Sequence, residues 1–278
     1  MNSSITVVIH TRNEEKNIKE SVQSAKILAN TILIVDMEST DKTVTFAKEV
    51  DTTIKTFPFS HYVEPARAFG IQSAKTDWVF ILDADERMTK ELADEIKTVI
   101  SRQSSDIGKT DFNKPTTENR QLKTYYKVPR KNIFGKNKWL KHGGWWPDYQ
   151  IRLFYKSALI DWPKQIHSTP KFTGSERKLK NPIIHYFHGD LKSMVDKTLI
   201  FEDIESDLLY KAHKKTGTVI FLRKFLGELY RRLIKHRGFL DGTVGIIESI
   251  YQAYSKTITY IFLYEKQQSD DSKKSSTL

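Results

Sequence analysis

The stretch from Asp77 to Glu86 joins a short apolar run to a cluster of carboxylates, and it is the part of the sequence best suited to chemistry. An apolar run of this length is typical of a buried strand in a parallel sheet. Asp83 and Asp85 are separated by one residue, so an extended chain would point both carboxylates to the same side. Hard oxygen ligands favour Mg²⁺ or Mn²⁺, a cation that commonly binds a diphosphate and stabilises its charge. The same residues also fit a solvated strand-to-helix turn in which Thr89 caps the next helix.

Short apolar runs alternate with helical patterns through the first hundred residues. This alternation predicts an α/β fold with a mostly parallel, doubly wound sheet and flanking helices. Polar residues follow the predicted strands, and such sheets bind ligands at the edge formed by the carboxyl ends of their strands. No Gly-x-Gly-x-x-Gly motif follows the first strand and no phosphate-binding Gly-x-x-x-x-Gly-Lys motif occurs, which disfavours dinucleotide oxidoreductases and P-loop enzymes.

The composition narrows the class of protein further. The 278-residue chain has no cysteine, so disulfides, zinc–thiolate sites and thiol nucleophiles are excluded. We expect a cytoplasmic protein, because the first residues lack a secretory signal and no apolar run approaches the length of a membrane span. Residues 101–180 carry 18 Lys and Arg against 6 Asp and Glu, whereas residues 1–100 carry 12 against 16. A basic middle region indicates an anionic partner, either nucleic acid, a phosphorylated glycolipid or an anionic membrane surface.

Three blocks, in this order and spacing, resemble glycosyltransferase family 2: Ile5 to Glu15, Ile34 to Thr43, and Trp78 to Glu86. The resemblance implies the Rossmann-like GT-A fold and inversion at the anomeric carbon. It also implies a nucleotide-diphosphate sugar as the donor, for which we expect a UDP-sugar.

The resemblance implies roles for residues at the matching positions. Asp83 would lie near the ribose and the metal, Asp85 would ligate the cation, and Arg67 would approach the donor. Two residues depart from the family pattern, since Met37 stands where many members have a second Asp and Ala68 stands where Asn is common. The identity of the nucleotide base therefore stays open. The nucleotide pocket would be lined by Thr11, Asn13 and Asp36.

The segment from Gly143 to Phe154 is the second stretch with chemical character. From Asp148 onward polar and apolar residues alternate, so a strand would carry Asp148, Gln150 and Arg152 on one face. An inverting transfer needs a base that takes the proton of the acceptor hydroxyl, and we assign this role to Asp148. Gln150 and Arg152 would contact the acceptor or a phosphate, and Arg152 would otherwise orient Asp148. A half-exposed edge strand without a catalytic role would show the same alternation.

Trp145 and Trp146 precede these residues, and indole rings pack well against the C–H faces of sugars. We expect both to contact the acceptor, although core tryptophans would give the same sequence pattern. The block from Trp146 to Phe154 also resembles the family branch that includes lipopolysaccharide-core β-glucosyltransferases, which supports Asp148 as the base. His167 is a further candidate metal ligand, although a single histidine is more often structural.

Sequence patterns divide the chain into three parts. Residues 1–188 would form the GT-A domain, with a donor half at 1–100 and an acceptor half at 101–188. Residues 189–266 are predicted to be helical, with apolar and basic side chains at helical intervals, and either pack on the domain or lie on a membrane surface. Residues 267–278 are polar and predicted to be disordered.

The leading hypothesis is an inverting, metal-dependent glycosyltransferase (a hexosyltransferase) that acts on a glycan or glycolipid acceptor such as the lipopolysaccharide core or another cell-surface polysaccharide. It would be cytoplasmic or peripheral on the inner face of the cytoplasmic membrane, and it would bind no nucleic acid. One alternative is a sugar nucleotidyltransferase, disfavoured because no glycine-rich phosphate loop follows the first strand. The other is a basic nucleic-acid-binding or membrane scaffold protein without catalysis, which the acidic residues Asp83, Asp85 and Asp148 disfavour.

Overall fold

The structure is a computed structural model whose described residues fall into two compact units. The first unit comprises residues 1–131 and 148–185, and the second comprises 132–147 and 186–278. A segment from the middle of the chain thus joins the C-terminal region, in contrast to the single boundary after residue 188 that the sequence suggests. The described residues are 5–107, 124–135, 137–166, 168–188 and 191–275.

Short strands and helices alternate as the apolar runs predict. The strands are β1 (Ile5–Thr11), β2 (Thr31–Asp36), β3 (Thr53–Thr56), β4 (Trp78–Asp83), β5 (Glu86–Arg87), β6 (Tyr125–Phe134), β7 (Lys138–Trp139), β8 (Asp148–Tyr155), β9 (Leu159–Asp161), β10 (Lys171–Phe172), β11 (Glu176–Lys178) and β12 (Ile183–His188). The helices are α1 (Ile18–Ala25), α2 (Thr43–Glu49), α3 (Glu64–Ser73), α4 (Lys90–Ile107), α5 (Leu191–Lys211), α6 (Thr218–Leu229) and α7 (Thr243–Ser275). Short turns of 3₁₀ helix occur at Lys156–Ala158 and Gly238–Asp241, and a π-helical turn occurs at Tyr230–Lys235.

The main sheet is mixed, with strand order β3-β2-β1-β4-β8-β6-β12-β5. The first four strands are parallel, which confirms the α/β fold predicted from the first hundred residues. Beyond β4 the pairing becomes antiparallel, because β8 runs opposite to both β4 and β6. The amino-terminal end of β8 therefore lies at the same edge as the carboxyl end of β4.

Both faces of the parallel strands are covered. On β4, Phe80 and Leu82 pack on one face with residues of α1 and α4. Val79 and Ile81 pack on the other face with residues of α3. Because every position of such a strand is buried, the strand needs an unbroken apolar run, and the polar residues are confined to its end.

The second unit is largely helical. Helix α5 packs on α7, where the hydroxyls of Thr198 and Tyr251 are 2.6 Å apart and Lys266 pairs with Asp207 at 2.5 Å. Helix α7 continues to Ser275 and thus extends into the polar segment that begins at residue 267. Within the part of the chain that the structure describes, no helix has an apolar stretch long enough to cross a membrane.

Candidate active site

The carboxyl ends of β1, β2 and β4 lie side by side because these strands are parallel neighbours. Thr11 pairs with Asp36 across β1 and β2, and His10 pairs with Asp83 across β1 and β4. The polar residues at the predicted strand ends therefore share one edge of the sheet, where α/β folds bind ligands.

Asp36 and Asn13 hold the loops that follow β2 and β1. Asp36 accepts hydrogen bonds from the backbone N–H of Ser39 at 3.0 Å and from its hydroxyl at 2.5 Å. Asn13 accepts a bond from the N–H of Thr40 at 2.8 Å and has a left-handed φ of 53°, which asparagine tolerates better than most residues. The Oγ1 atom of Thr11 is buried and has no hydrogen-bond partner among the described residues.

Asp83 lies between two buried guanidinium groups. Its Oδ1 accepts a hydrogen bond from Arg67 at 2.6 Å, and its Oδ2 accepts one from Arg152 at 2.6 Å. Burial opposes ionisation of Asp83, but the positive charges of Arg152 and Arg67 outweigh it and hold the pKa of Asp83 well below its usual value. Asp83 is therefore a stable anion whose two oxygens are both bound to arginine.

His10 fixes the position of Arg67. Its Nδ1 accepts a hydrogen bond from Arg67 at 3.1 Å, and its Nε2 donates to the carbonyl of Ala66 at 3.2 Å. This pattern requires a neutral ring, and burial together with the charge of Arg67 lowers the pKa of His10 well below its usual value. Helix α3 approaches closely here, since a Cβ on Gly70 would lie 2.6 Å from His10 Nε2.

Glu86 extends this arrangement towards Asp148. It is fully buried, its Oε1 accepts a hydrogen bond from Arg152 at 2.5 Å, and its Oε2 accepts one from the N–H of Asp83 at 3.0 Å. Oε1 also lies 3.9 Å from Nη1 of Arg130, whose Nη2 pairs with Oδ2 of Asp148 at 2.6 Å. We call this alternating series of charges the charge chain: Arg67, Asp83, Arg152, Glu86, Arg130 and Asp148.

Burial acts on the two central members of the charge chain in opposite ways. It raises the pKa of Glu86, although the positive charge of Arg152 opposes this effect. It would lower the pKa of Arg152, but Asp83 and Glu86 outweigh it and raise that pKa above its usual value. Arg152 is therefore the fixed positive charge at the centre of the site.

Asp148 is held in one orientation by its neighbours. Arg130 donates to its Oδ2 from Nε at 2.8 Å, and Gln150 donates to its Oδ1 at 2.7 Å. The contact between Asp148 and Gln150 agrees with the two-residue alternation predicted for this strand.

Arg152 lies at an irregularity of β8 that the sequence pattern does not reveal. Lys127 of β6 pairs with Ile151, whereas Tyr126 pairs with Leu153, so Arg152 is an extra residue between them. Such a β-bulge redirects the side chains around it and is common beside active sites. Four consecutive residues of β8, from Tyr149 to the bulge residue Arg152, line one cavity.

That cavity has a volume of about 490 Å³, within the range typical of sites for small molecules. The Nε atom of Arg152 and the Nε1 atom of Trp162, both from residues that line it, are buried and have no hydrogen-bond partner in the part of the chain that the structure describes. Cationic side chains outnumber acidic ones in its lining, which favours an anionic ligand. The charged lining residues are Arg67, Lys127, Arg130 and Arg152 against Glu64 and Asp83.

Asp85 departs from the geometry predicted from its spacing. Strand β4 ends at Asp83 and Asp85 lies in the following turn, so the extended geometry that would align the two carboxylates is absent. Its Oδ2 lies 3.5 Å from Nε2 of His185. Among the described residues, no group of three or more His, Asp or Glu could hold a metal ion, and His167 lies outside them.

Trp145 and Trp146 belong to the second unit. The ring of Trp146 packs edge-on against Trp139 at 5.4 Å, and Arg232 lies over the ring of Trp145 at 5.2 Å. Within this unit Asp241 anchors the segment that carries them, because it accepts hydrogen bonds from the backbone N–H groups of Lys141 and His142.

The first unit thus brings together Thr11, Asp36, Arg67 and Asp83 from the predicted donor side with Asp148, Gln150 and Arg152 of β8. Sequence reasoning did not single out Glu86, Arg130 or His185 as site residues. The sequence could have indicated Glu86, because it is the third carboxylate after the apolar run, whereas no sequence pattern indicates Arg130.

Comparisons with known proteins give one family and several similar proteins. The family model described as "Glycosyl transferase family 2" matches residues 6–192. An uncharacterized glycosyltransferase of Rickettsia bellii is 24% identical over 271 residues, which cover 94% of this chain and 86% of that protein. A second, from Rickettsia conorii, is 23% identical over 279 residues, which cover 95% and 93%. Among solved structures, that of S. aureus TarS in complex with UDP matches 96% of this chain and 92% of its own, with a TM-score of 0.45 and 12% identity.

Proposed function

The chain belongs to glycosyl transferase family 2, and we propose that it moves a hexose from a UDP-sugar to a glycan or glycolipid, with inversion at the anomeric carbon. Its mixed sheet with flanking helices is the GT-A fold expected from the sequence. The resemblance of the block from Trp146 to Phe154 supports the lipopolysaccharide core or another cell-surface polysaccharide as the acceptor. Family membership also favours this function over a nucleic-acid-binding scaffold.

One observation carries the donor assignment: a buried guanidinium faces a cavity with an excess of positive charge. Arg152 is 4% exposed, and its Nε has no partner among the described residues. A buried donor without a partner costs about 1–3 kcal/mol, so an oxygen of a bound diphosphate would remove a real penalty. Arg67 lies beside Asp83 in the same cavity and would provide a second guanidinium for the diphosphate.

Asp148 is the base in this proposal. The oxygen of the acceptor hydroxyl attacks the anomeric carbon, the bond from that carbon to the diphosphate oxygen breaks, and the hydroxyl proton passes to Asp148. Arg130 and Gln150 keep the carboxylate aimed in one direction. Arg152 and Arg67 stabilise the negative charge that develops on the leaving diphosphate.

A divalent cation fits this site if the donor supplies part of its coordination. Mg²⁺ is usually held by one or two carboxylates together with substrate phosphates and waters, so a complete protein cage is not required. Asp85 would hold the cation, and His185, 3.5 Å away, is placed to act beside it. Asp83 is assigned to the donor, because both its oxygens are bound to arginine. When bound, the cation neutralises charge on the diphosphate.

The variant Asp148→Asn tests the proposed chemistry. Because the substitution removes the base and keeps the shape, UDP binding by calorimetry should change little, whereas UDP release in the presence of glycan acceptors should fall by about 10²–10⁴-fold. The matched control is Asp161→Asn, an exposed carboxylate of the first unit.

Full activity of Asp148→Asn would assign the base to another residue. Failure of every nucleotide sugar to shift the melting temperature of the parent protein, with and without Mn²⁺, would contradict the donor assignment itself.

A further inference from the structure

A row of exposed apolar side chains runs along the outer face of α6 and the π-helical turn that follows it. The residues are spaced by three or four positions, so they share one side of the helix. We call this set the apolar row: Val219 (77% exposed), Leu222 (57%), Leu226 (57%), Tyr230 (61%) and Ile234 (51%).

The other side of α6 is fixed within the second unit, so the exposure of the apolar row is built into the fold. The ring of Phe221 packs against Tyr264 at 6.3 Å, and Lys224 lies over the ring of Tyr260 at 4.8 Å. Both partners belong to α7, which fixes the rotation of α6 about its axis.

The 3₁₀ turn at Gly238–Asp241 presents further apolar side chains on a rigid backbone. Phe239 and Leu240 are 47% and 52% exposed. Gly238 packs so closely that a Cβ there would lie 2.6 Å from Ser249 Oγ. The buried Asp241 ends this turn and is held by the hydrogen bonds described above. The segment that follows the apolar row thus carries two more exposed apolar side chains.

The charges around the apolar row are positive. Residues 218–241 contain six Lys and Arg against two carboxylates, Glu228 and Asp241. Glu228 is paired with Arg231 at 2.5 Å and with Arg232 at 2.7 Å, and Asp241 is buried. Exposed cations remain on this segment at Arg223, Lys235 and Arg237.

An apolar row flanked by cations matches one kind of partner better than others. A second copy of the same face would bring like charges together, which destabilises an interface. A lipid surface with anionic headgroups accepts both features, because its phosphates attract the cations and its acyl boundary accepts the apolar side chains.

We propose that the apolar row, together with the turn at Gly238–Asp241, docks on the surface of a bilayer that contains anionic phospholipids. The apolar row enters the boundary between headgroups and acyl chains, and the exposed cations contact lipid phosphates. This inference does not depend on the proposed transfer reaction.

Sedimentation of the full chain with vesicles tests the proposal. The parent protein should bind phosphatidylcholine vesicles that contain phosphatidylglycerol, and should bind pure phosphatidylcholine weakly. The variant Leu222→Gln/Leu226→Gln should partition on the order of tenfold less, because it removes two large apolar side chains from the row. The matched control, Ile27→Gln/Ile160→Gln, changes two exposed apolar residues of the first unit and should bind as the parent does.

A variant that removes two exposed cations measures the electrostatic contribution to vesicle binding. Arg223→Gln/Lys235→Gln should weaken binding by about fivefold per cation, and added salt should reduce this difference. Equal melting temperatures would show that all variants remain folded.

Three outcomes would overturn the proposal. Absence of binding to anionic vesicles by the parent would do so directly, as would equal binding by the leucine variant. A dimer mass for the parent in light scattering, lost only in the leucine variant, would assign the face to self-association instead.

Discussion

The substitution Glu86→Gln tests whether the charge chain organises the site. Glu86 accepts two hydrogen bonds, one at each carboxylate oxygen, from Arg152 and from the N–H of Asp83. A glutamine has one amide oxygen and one NH₂ group, so one of these two donors must face another donor. The substitution therefore removes a charge and leaves one buried donor without an acceptor.

The size of the stability loss depends on the contacts that Arg152 keeps after the substitution. Loss of one partner of a buried ion pair costs about 3–5 kcal/mol. Arg152 keeps its bond to Asp83 at 2.6 Å, and the burial that raises the pKa of Glu86 no longer acts on a charged group. Both effects reduce the cost, so we expect a loss of about 2–3 kcal/mol in the free energy of unfolding. A domain of ordinary stability stays folded after such a loss.

Urea unfolding measures the stability change, calorimetry measures the affinity for UDP, and UDP release from UDP-sugars in the presence of glycan acceptors measures kcat/KM. A small displacement of Arg152 should lower kcat/KM by on the order of 100-fold. Glu91→Gln is the matched control, because Glu91 is an exposed carboxylate in the first turn of α4. The reasoning fails if Glu86→Gln unfolds within about 0.5 kcal/mol of this control, the range of ordinary surface substitutions, and keeps its UDP affinity.

Three further predictions concern the surrounding residues. Asp85→Asn should abolish any gain in UDP-sugar affinity from Mn²⁺ while leaving the metal-free affinity unchanged; a retained gain in calorimetry would exclude Asp85 as a ligand. Because the pKa of folded Asp83 lies below the usual 3.8, the stability it contributes is complete above pH 3.8 and declines as the pH falls towards the folded value. The stability difference between the parent and Asp83→Asn in urea should therefore be constant from about pH 5 to 7 and shrink only in acid. Gly70→Ala should destabilise the protein and weaken UDP binding, because the clash with His10, about 1–3 kcal/mol, exceeds the gain of about 1 kcal/mol in helix propensity; an unchanged melting temperature would contradict this.

The sequence predicts which polar residues share the carboxyl edge of the parallel strands, for a physical reason. In parallel strands that are buried on both faces, apolar runs mark the strands and the first polar residue marks the end. Thr11, Asp36 and Asp83 each occupy such a position, and neighbouring parallel strands bring their carboxyl ends together. Local sequence patterns are sufficient here because the backbone is regular.

Pairing between strands that are distant in the sequence determines the other contacts of the site, and no local pattern encodes this pairing. Arg130 reaches Asp148 because β6 and β8 are antiparallel with these two residues directly opposite. The sequence between Tyr125 and Lys131 shows a strand but not its partner or register. The same limit applies to His185, which meets Asp85 only because β12 pairs with β5.

The two-residue period fails at two positions that have a role in the proposal, Asp85 and Arg152. Asp85 leaves the line of Asp83 because the chain turns after β4, and this turn brings it to His185. Arg152 is the extra residue of a bulge, and its Nη2 atom bonds both Asp83 and Glu86. The bulge therefore lies where the charge chain connects Asp83 to Glu86, and the two-residue pattern of the sequence does not reveal it.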